Sequence, residues 1–399
     1  VSTTAEGYGI LSGREAVLGT YAPPDILFVS GEGSWLVDDE GHRYLDLTSG
    51  IGVNALGYGN PTIHRAVRKA LDSGLIHTSN LFRTEPAERL AAELVDATFP
   101  GKVFFCNSGA EANEGAFKIA RKWAGRVGGP AKHEVVAFRG SFHGRLFGSL
   151  AATDRPSYQR PFAPLMPGVR FADLDDPRTW DDTISRESTA AVIVEPVQGE
   201  GGVRPVVPSV LRELRALCDE RSVALILDEV QCGLGRTGRL FAFEHSGVRP
   251  DLLVLAKPLG GGLPMGAVVA QSAFANVMEP GDHATTFGGG PLVAAVARSV
   301  LAAIREDAFL ARVRSLGERI AHCLEEAASE SDAILEVRGL GLMWGIQLTD
   351  GAADVVARAR ENGLLVLTAG SDVVRLLPPL TISDEDLDHG LELLQEVLP

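Results

Sequence analysis

Two charged residues, each at the end of an apolar run, set the chemistry of this chain. Ala224-Leu225-Ile226-Leu227 runs into Asp228, and Leu252-Leu253-Val254-Leu255-Ala256 runs into Lys257. Short apolar runs bounded by turn signals predict buried parallel strands. Ligands of such sheets lie outside the carboxyl ends of the strands, where both residues fall. A lysine there can condense with an aldehyde, and a carboxylate can keep a ring nitrogen protonated. Together these are the requirements of pyridoxal 5'-phosphate. The covalent link would remove a buried amine that otherwise needs a partner. The ionic hydrogen bond from Asp228 would keep the ring cationic and able to accept electrons.

A phosphate needs its own seat. Ser108 and Glu111 form an S-x-x-E box opening a helix after Phe104-Phe105-Cys106-Asn107. The free N–H groups and positive end of that helix favour an anion, and Gly109 would let it approach. Ser141-Phe142-His143-Gly144-Arg145 offers an aromatic ring for stacking and a planar guanidinium for a carboxylate. Glu200 follows an apolar run that ends in Val194, and Arg375 lies inside the apolar run Val373 to Leu377. An arginine in such a run requires an acid or an anionic ligand. Each motif alone is common in proteins that bind nothing; the weight lies in their combination.

The elements that must position these residues follow from periodicity. From about 61 to 286 helical and strand patterns alternate. Helices are expected over Pro61 to Ser73, Pro86 to Ala97, Ala110 to Arg126 and Val210 to Glu220. Strands are expected over Lys102 to Cys106, Glu134 to Phe138 and Ala191 to Val194, and at the two runs described first. The alternation predicts an α/β fold with a mostly parallel central sheet and helices on both faces. Past Pro291 two long amphipathic helices, Leu292 to Ile304 and Phe309 to Ser329, lead into strands around Glu336 and over Met343 to Leu348. A last helix is expected from Asp384 to Leu398. The expected division is residues 1–49 as an N-terminal segment packing with the small domain, 50–286 as a large cofactor-binding domain and 287–399 as a smaller α/β domain.

Composition narrows the function classes. The 399 residues carry a net charge of −15, which argues against nucleic acid and against anionic membrane surfaces. No apolar run approaches the ~20 residues of a membrane span. Val1 to Glu6 shows no signal-peptide pattern, and the four scattered cysteines fit a cytoplasmic protein with reduced thiols. The nine histidines lack metal-ligand spacing. Gly233-Leu234-Gly235-Arg236-Thr237-Gly238 matches G-x-G-x-x-G, but no helix start signal follows it, so a dinucleotide site is set aside.

With these residues in view, the chain resembles the class III (subgroup II) aminotransferases, which have the PLP-dependent transferase fold type I. The likeness runs from about Tyr44 to Pro379 and is greatest to the acetylornithine type. It is most specific at Ile51 to Gly57, His77 to Phe82, Phe104 to Asn113, Phe142 to Arg145, Leu227 to Gln231, Ala256 to Gly262 and Thr285 to Gly289. The resemblance implies that Lys257 carries the cofactor as a Schiff base and acts as the catalytic residue. Asp228 would bind the pyridine nitrogen, and Val230 would pack on the ring face opposite Phe142, with His143 beside it. Gln231 would reach the 3′-oxygen. Ser108, Gly109 and Ala110 would seat the phosphate. Thr286 would reach the phosphate in a neighbouring subunit, making the enzyme a homodimer with shared sites.

For substrate, the resemblance assigns Arg145 and Thr285 to the amino donor. Arg375 would hold the α-carboxylate of 2-oxoglutarate or glutamate, with Glu200 pairing with it in between. The implied reaction is a ping-pong transfer of the terminal amine of N-acetylornithine to 2-oxoglutarate. Other amine donors (ornithine, 4-aminobutyrate, succinylornithine, a carrier-bound lysine) remain open, as does a racemase or aminomutase on the same fold. The chain departs from the family pattern at Leu146, where threonine is usual, at Gly290, where asparagine is frequent, and at Pro258, where a small residue is usual.

Overall fold

Apolar runs too short for helices become the centre of the molecule. In the computed structural model, which describes residues 16–399, seven strands form one twisted sheet. The Val1 to Glu6 start lies outside the described residues. Three strands precede that sheet: β1 (Phe28–Glu32), β2 (Trp35–Asp38) and β3 (Arg43–Asp46). Two helices follow, α1 (Pro61–Asp72) and α2 (Glu85–Ala97). Asn60 starts α1 by accepting the Thr62 N–H at 2.9 Å, with Pro61 in the first turn.

The sheet itself comprises β4 (Gly101–Cys106), β5 (Glu134–Phe138), β6 (Val169–Ala172), β7 (Thr189–Val194), β10 (Ala224–Asp228), β11 (Leu252–Leu255) and β12 (Gly266–Gln271). A small hairpin, β8 (Val197–Gln198) and β9 (Arg204–Pro205), lies between β7 and β10 in the chain. The order across the sheet is β4-β12-β11-β10-β7-β5-β6. Every residue of β7, β10 and β11 is buried, as strands covered on both faces must be. Helices α3 (Gly109–Gly128) and α4 (Pro208–Arg221) return the chain between strands. Only β12 runs antiparallel to its neighbours. The link from Leu255 to Gly266 is shorter than the dozen or so residues a parallel crossover needs, so the chain turns back on itself.

The C-terminal part begins with α5 (Pro291–Ile304), packed on α1 and α2, and continues into α6 (Asp307–Glu330). A second sheet, ordered β13-β14-β17-β16, comprises β13 (Ile334–Leu340), β14 (Met343–Leu348), β16 (Leu367–Thr368) and β17 (Val373–Leu376). Helix α7 (Ala352–Glu361) and strand β15 (Leu364–Leu365) lie between, and α8 (Asp384–Val397) closes the chain. The N-terminal strands join this part, because β15 extends their sheet by pairing with β3. On the rim, exposed Arg312 and half-buried Arg319 of α6 pair with Asp384 and Asp388 of α8.

The G-x-G-x-x-G stretch is a seam between the two sheets. Gly235 (φ +86°) and Gly238 (φ +81°) adopt left-handed backbone, and no α-helix follows. Arg236 is wholly buried and, among the described residues, has no acid partner. Its guanidinium donates to Leu342 O at 2.9 Å, Pro378 O at 2.5 Å and Ser49 Oγ at 3.4 Å. Burial alone pulls its pKa down to about 9. The loop that resembles a phosphate binder therefore seats a cation against the protein's own carbonyls. Among the described residues, no helix is long and apolar enough to cross a membrane.

Candidate active site

Asp228 ends β10, and Lys257 follows β11 after Ala256. The two strands are parallel neighbours, so both side chains reach one cavity of about 480 Å³ at the carboxyl edge of the sheet. The same cavity is lined by Ser108, Gly109, Ala110, Phe142, His143, Arg145, Glu200, Val230 and Gln231. Arg375 projects from β17 of the second sheet and joins them through Glu200 and Gln231. Thr285 and Thr286 do not line this cavity. Thr285 Oγ1 accepts a hydrogen bond from Asn107 Nδ2 at 3.1 Å, and both threonines border hollows shared with Ser79 and Asn80.

At the start of α3, Ser108 Oγ accepts the Glu111 N–H at 3.2 Å. The reciprocal arm of the expected capping box goes elsewhere: Glu111 Oε2 accepts from Asn107 N at 2.9 Å and Asn107 Nδ2 at 2.8 Å. The N–H groups of Ser108, Gly109 and Ala110 thus stay uncommitted at the positive end of a 20-residue helix. Gly109 has a second reason to be glycine, since a Cβ there would stand 2.7 Å from Val230 Cγ1.

Asp228 is 3 % exposed and held on three sides. Its Oδ2 accepts from Asn113 Nδ2 and lies against His143 Nδ1, both at 2.8 Å, and its Oδ1 accepts the Val230 N–H at 3.1 Å. Asn113 also donates to His143 O at 2.7 Å. Neither Asn113 nor the nearby Glu195 is marked by its local sequence as a site residue. Glu195 is buried and ties two loops together, accepting the Phe142 N–H at 2.9 Å and the Gly199 N–H at 3.0 Å. Burial pushes its carboxyl up to about 7, with Asp228 adding and His143 opposing.

Lys257 is half-buried, and among the described residues its amine has no hydrogen bond or ion pair. Burial, then the charge of Arg375, lowers its pKa from 10.5 to about 8, against the pull of Glu200 and Asp228. Its backbone is left-handed (φ +38°). Arg375 is 2 % exposed and donates to Glu200 Oε1 at 2.6 Å and Gln231 Oε1 at 3.1 Å. Burial would raise the Glu200 carboxyl, but Arg375 outweighs it and holds the group below its usual range.

One cavity thus brings together a lysine with a lowered pKa, a braced acid and an open anion seat. The class-III aminotransferase family model matches residues 20–398. This chain is a class-III aminotransferase. Among curated relatives, the acetylornithine aminotransferase of Caldanaerobacter subterraneus subsp. tengcongensis is 42 % identical over 386 residues, covering 96 % of this chain and 98 % of that one. A succinylornithine transaminase of Yersinia pestis is 44 % identical, covering 94 % and 93 %. Among solved structures, the ornithine aminotransferase of Toxoplasma gondii with partial occupancy of PLP superposes with a TM-score of 0.91 at 32 % identity, covering 96 % and 92 %.

Class-III aminotransferases depend on pyridoxal 5'-phosphate, and so does this one. Its residues fit that group. The uncommitted N–H groups opening α3 match a phosphate, and Asp228 matches a protonated ring nitrogen. Asn113 Oδ1 and His143 Nε2, on residues lining the same cavity, are buried with no partner among the described residues.

Proposed function

We propose that this aminotransferase moves the terminal amine of N-acetylornithine to 2-oxoglutarate, giving N-acetylglutamate semialdehyde and glutamate. The observation that carries this reading is the Arg375–Glu200 contact of 2.6 Å beside the cavity. One cavity must take an amine at a chain end and then an α-keto acid. A buried arginine that trades an internal acid for a substrate carboxylate serves both without being left unpaired. A racemase or aminomutase has no second, dicarboxylic substrate to accommodate.

When bound, pyridoxal 5'-phosphate supplies an aldehyde for the amino group and a cationic ring that withdraws electrons from the carbon bearing it. Ser108, Gly109 and Ala110 would hold the phosphate, while Phe142 and Val230 would flank the ring and Gln231 its 3′-oxygen. Asp228, braced by Asn113 and His143, would keep a proton on the ring nitrogen. Lys257 Nζ, its pKa lowered to about 8, would take a proton from the substrate carbon and hand it back on the cofactor side. Arg145 takes the carboxylate at the far end of the donor; Thr285, which lies outside this cavity, would reach a donor only in the cavity of a second copy. Arg375 takes the α-carboxylate of 2-oxoglutarate.

The succinyl-bearing donor is the second reading, favoured by the 44 % identity of succinylornithine transaminases. Leu146 and Phe147, next to Arg145 in the chain, are exposed. Mixing the cofactor-loaded enzyme with acetylornithine, succinylornithine, ornithine, 4-aminobutyrate and glutamate separates the donors by the rate of cofactor bleaching. Failure of both acylated donors to bleach it ahead of ornithine would overturn the reading.

Arg375→Ala is expected to slow the 2-oxoglutarate half-reaction by about a hundredfold, within the about 2–5 kcal/mol of losing one partner of a buried charge pair. The amine half-reaction should change far less. Single-turnover rates of the two halves measure this, and equal losses would sink the switch.

Assembly is part of the same reading. Thr286 would complete the phosphate seat of a second copy in a homodimer. Exposed Ile76, Leu81, Phe82 and Phe287, in the segments around Thr286, supply an apolar surface for that contact. The chain would work in the cytoplasm, as its four unpaired cysteines suggest. We read it in three parts, with 1–49 joining 287–399 around a large domain of 50–286.

A further inference from the structure

Arg145 is exposed at the cavity wall, and among the described residues it has no ion pair and no hydrogen bond. What holds it is an aromatic ring. Its Cζ lies 3.6 Å from the centre of the Tyr158 ring and 5.8 Å from that of Phe142. The first is contact distance for a guanidinium on a ring face. A guanidinium held by its face keeps its N–H edge for a carboxylate. A partner acid would occupy that edge and would have to be displaced by substrate, as Glu200 must be from Arg375.

Tyr158 is itself fastened. It lies in the short helix Pro156–Gln159. The next residue, Gln159, donates from Nε2 to Leu150 O at 3.1 Å, Ala151 O at 3.2 Å and Thr153 O at 2.8 Å. Just before the helix, Arg155 Nη2 donates to Glu200 O at 2.7 Å. One short segment therefore supports the ring beneath Arg145 and the backbone of the acid that faces Arg375.

We propose that Tyr158 is a positioning residue that sets donor specificity by holding Arg145 face-on, with its donor edge free for the carboxylate remote from the reacting amine. This rests on the reading of Arg145 as the group that takes that carboxylate. Both donors of the proposed cycle carry one: the α-carboxylate of acetylornithine and the γ-carboxylate of glutamate. An amine without it gains nothing from Tyr158.

The test compares the holoenzyme with Y158L, Y158F and R145A on three donors: N-acetylornithine, glutamate and N-acetylputrescine. The last has the same amine and acetamide as the first but no carboxylate. Y158L is expected to raise the KM of the two carboxylated donors by about three- to tenfold, the size of a cation–π contact, with kcat largely kept. Acetylputrescine turnover should not move, and Y158F should restore the loss, because the ring and not the hydroxyl does the holding. Equal loss on all three donors, no loss on any, or failure of Y158F to restore it would overturn the role of Tyr158. The R145A control separates the two ideas. If R145A loses selectively on carboxylated donors while Y158L does not, only Tyr158 is wrong. If R145A is also unselective, the reading of Arg145 falls.

Discussion

Lys257→Ala is expected to abolish steady-state transamination, with a loss of at least about 10²–10⁴-fold in the proton-transfer step, the contribution of a positioned acid–base group. Among the described residues no other amine lines the cavity to substitute for it. Added small primary amines should restore part of the rate in K257A, because only a base of the right kind is missing. A variant turning over at the parental rate would overturn the assignment. The same amine predicts how the cofactor loads. Only its neutral form attacks an aldehyde, and its pKa is lowered from 10.5 to about 8. Raising the pH deprotonates it, so loading of the cofactor-free chain should accelerate between about pH 7 and pH 9 and then level off. Absorbance of the attached cofactor follows this, and a rate still climbing as far as pH 10.5 would contradict the lowered value.

Asp228→Asn is expected to be the next most damaging change. The amide keeps the size of the side chain and loses the charge. Replacing a buried ionic partner costs about 2–5 kcal/mol, a fall of about thirtyfold to several thousandfold in turnover. His143 Nδ1 and Asn113 Nδ2, each at 2.8 Å, would also lose a shared carboxylate. Cofactor should leave the variant faster on dialysis, because the ring nitrogen has lost its ionic anchor. The decisive observation is a cofactor analogue whose ring nitrogen is permanently cationic. It should recover a large part of the D228N loss, and no recovery would mean that Asp228 acts in some other way.

Local patterns announced most elements of this fold. Helix α1 begins at Pro61 because proline suits a first turn and Asn60 caps it. Buried β10 and β11 are continuous apolar runs, and the sequence says so directly. The direction of β12 is another matter. Gly266–Gln271 is apolar whichever way it runs, and only the short link from β11 settles it. Within the cavity, residues in recognisable turns were legible, and those acting across the chain were not. Asn113 sits in the second turn of α3, and its partner Asp228 is 115 residues away, so no window of sequence joins them. Glu195 reads as one more acid after a strand until its two N–H donors are seen. Tyr158 is likewise silent until the fold brings Arg145 over its ring.

The seam at Arg236 has a consequence for how the molecule meets its solvent. Ions screen charges that water reaches, within about 8–10 Å at moderate salt. The rim pairs of Arg312 and Arg319 with Asp384 and Asp388 are open to that screening. Arg236 is sealed from it, and its partners Leu342 O, Pro378 O and Ser49 Oγ carry no net charge. Rising ionic strength therefore loosens the outer helices while the junction between the two sheets, and with it the placing of Arg375 opposite Lys257, stays indifferent to salt. A chain of net charge −15 thus keeps the geometry of its reaction on a contact that no counterion can enter.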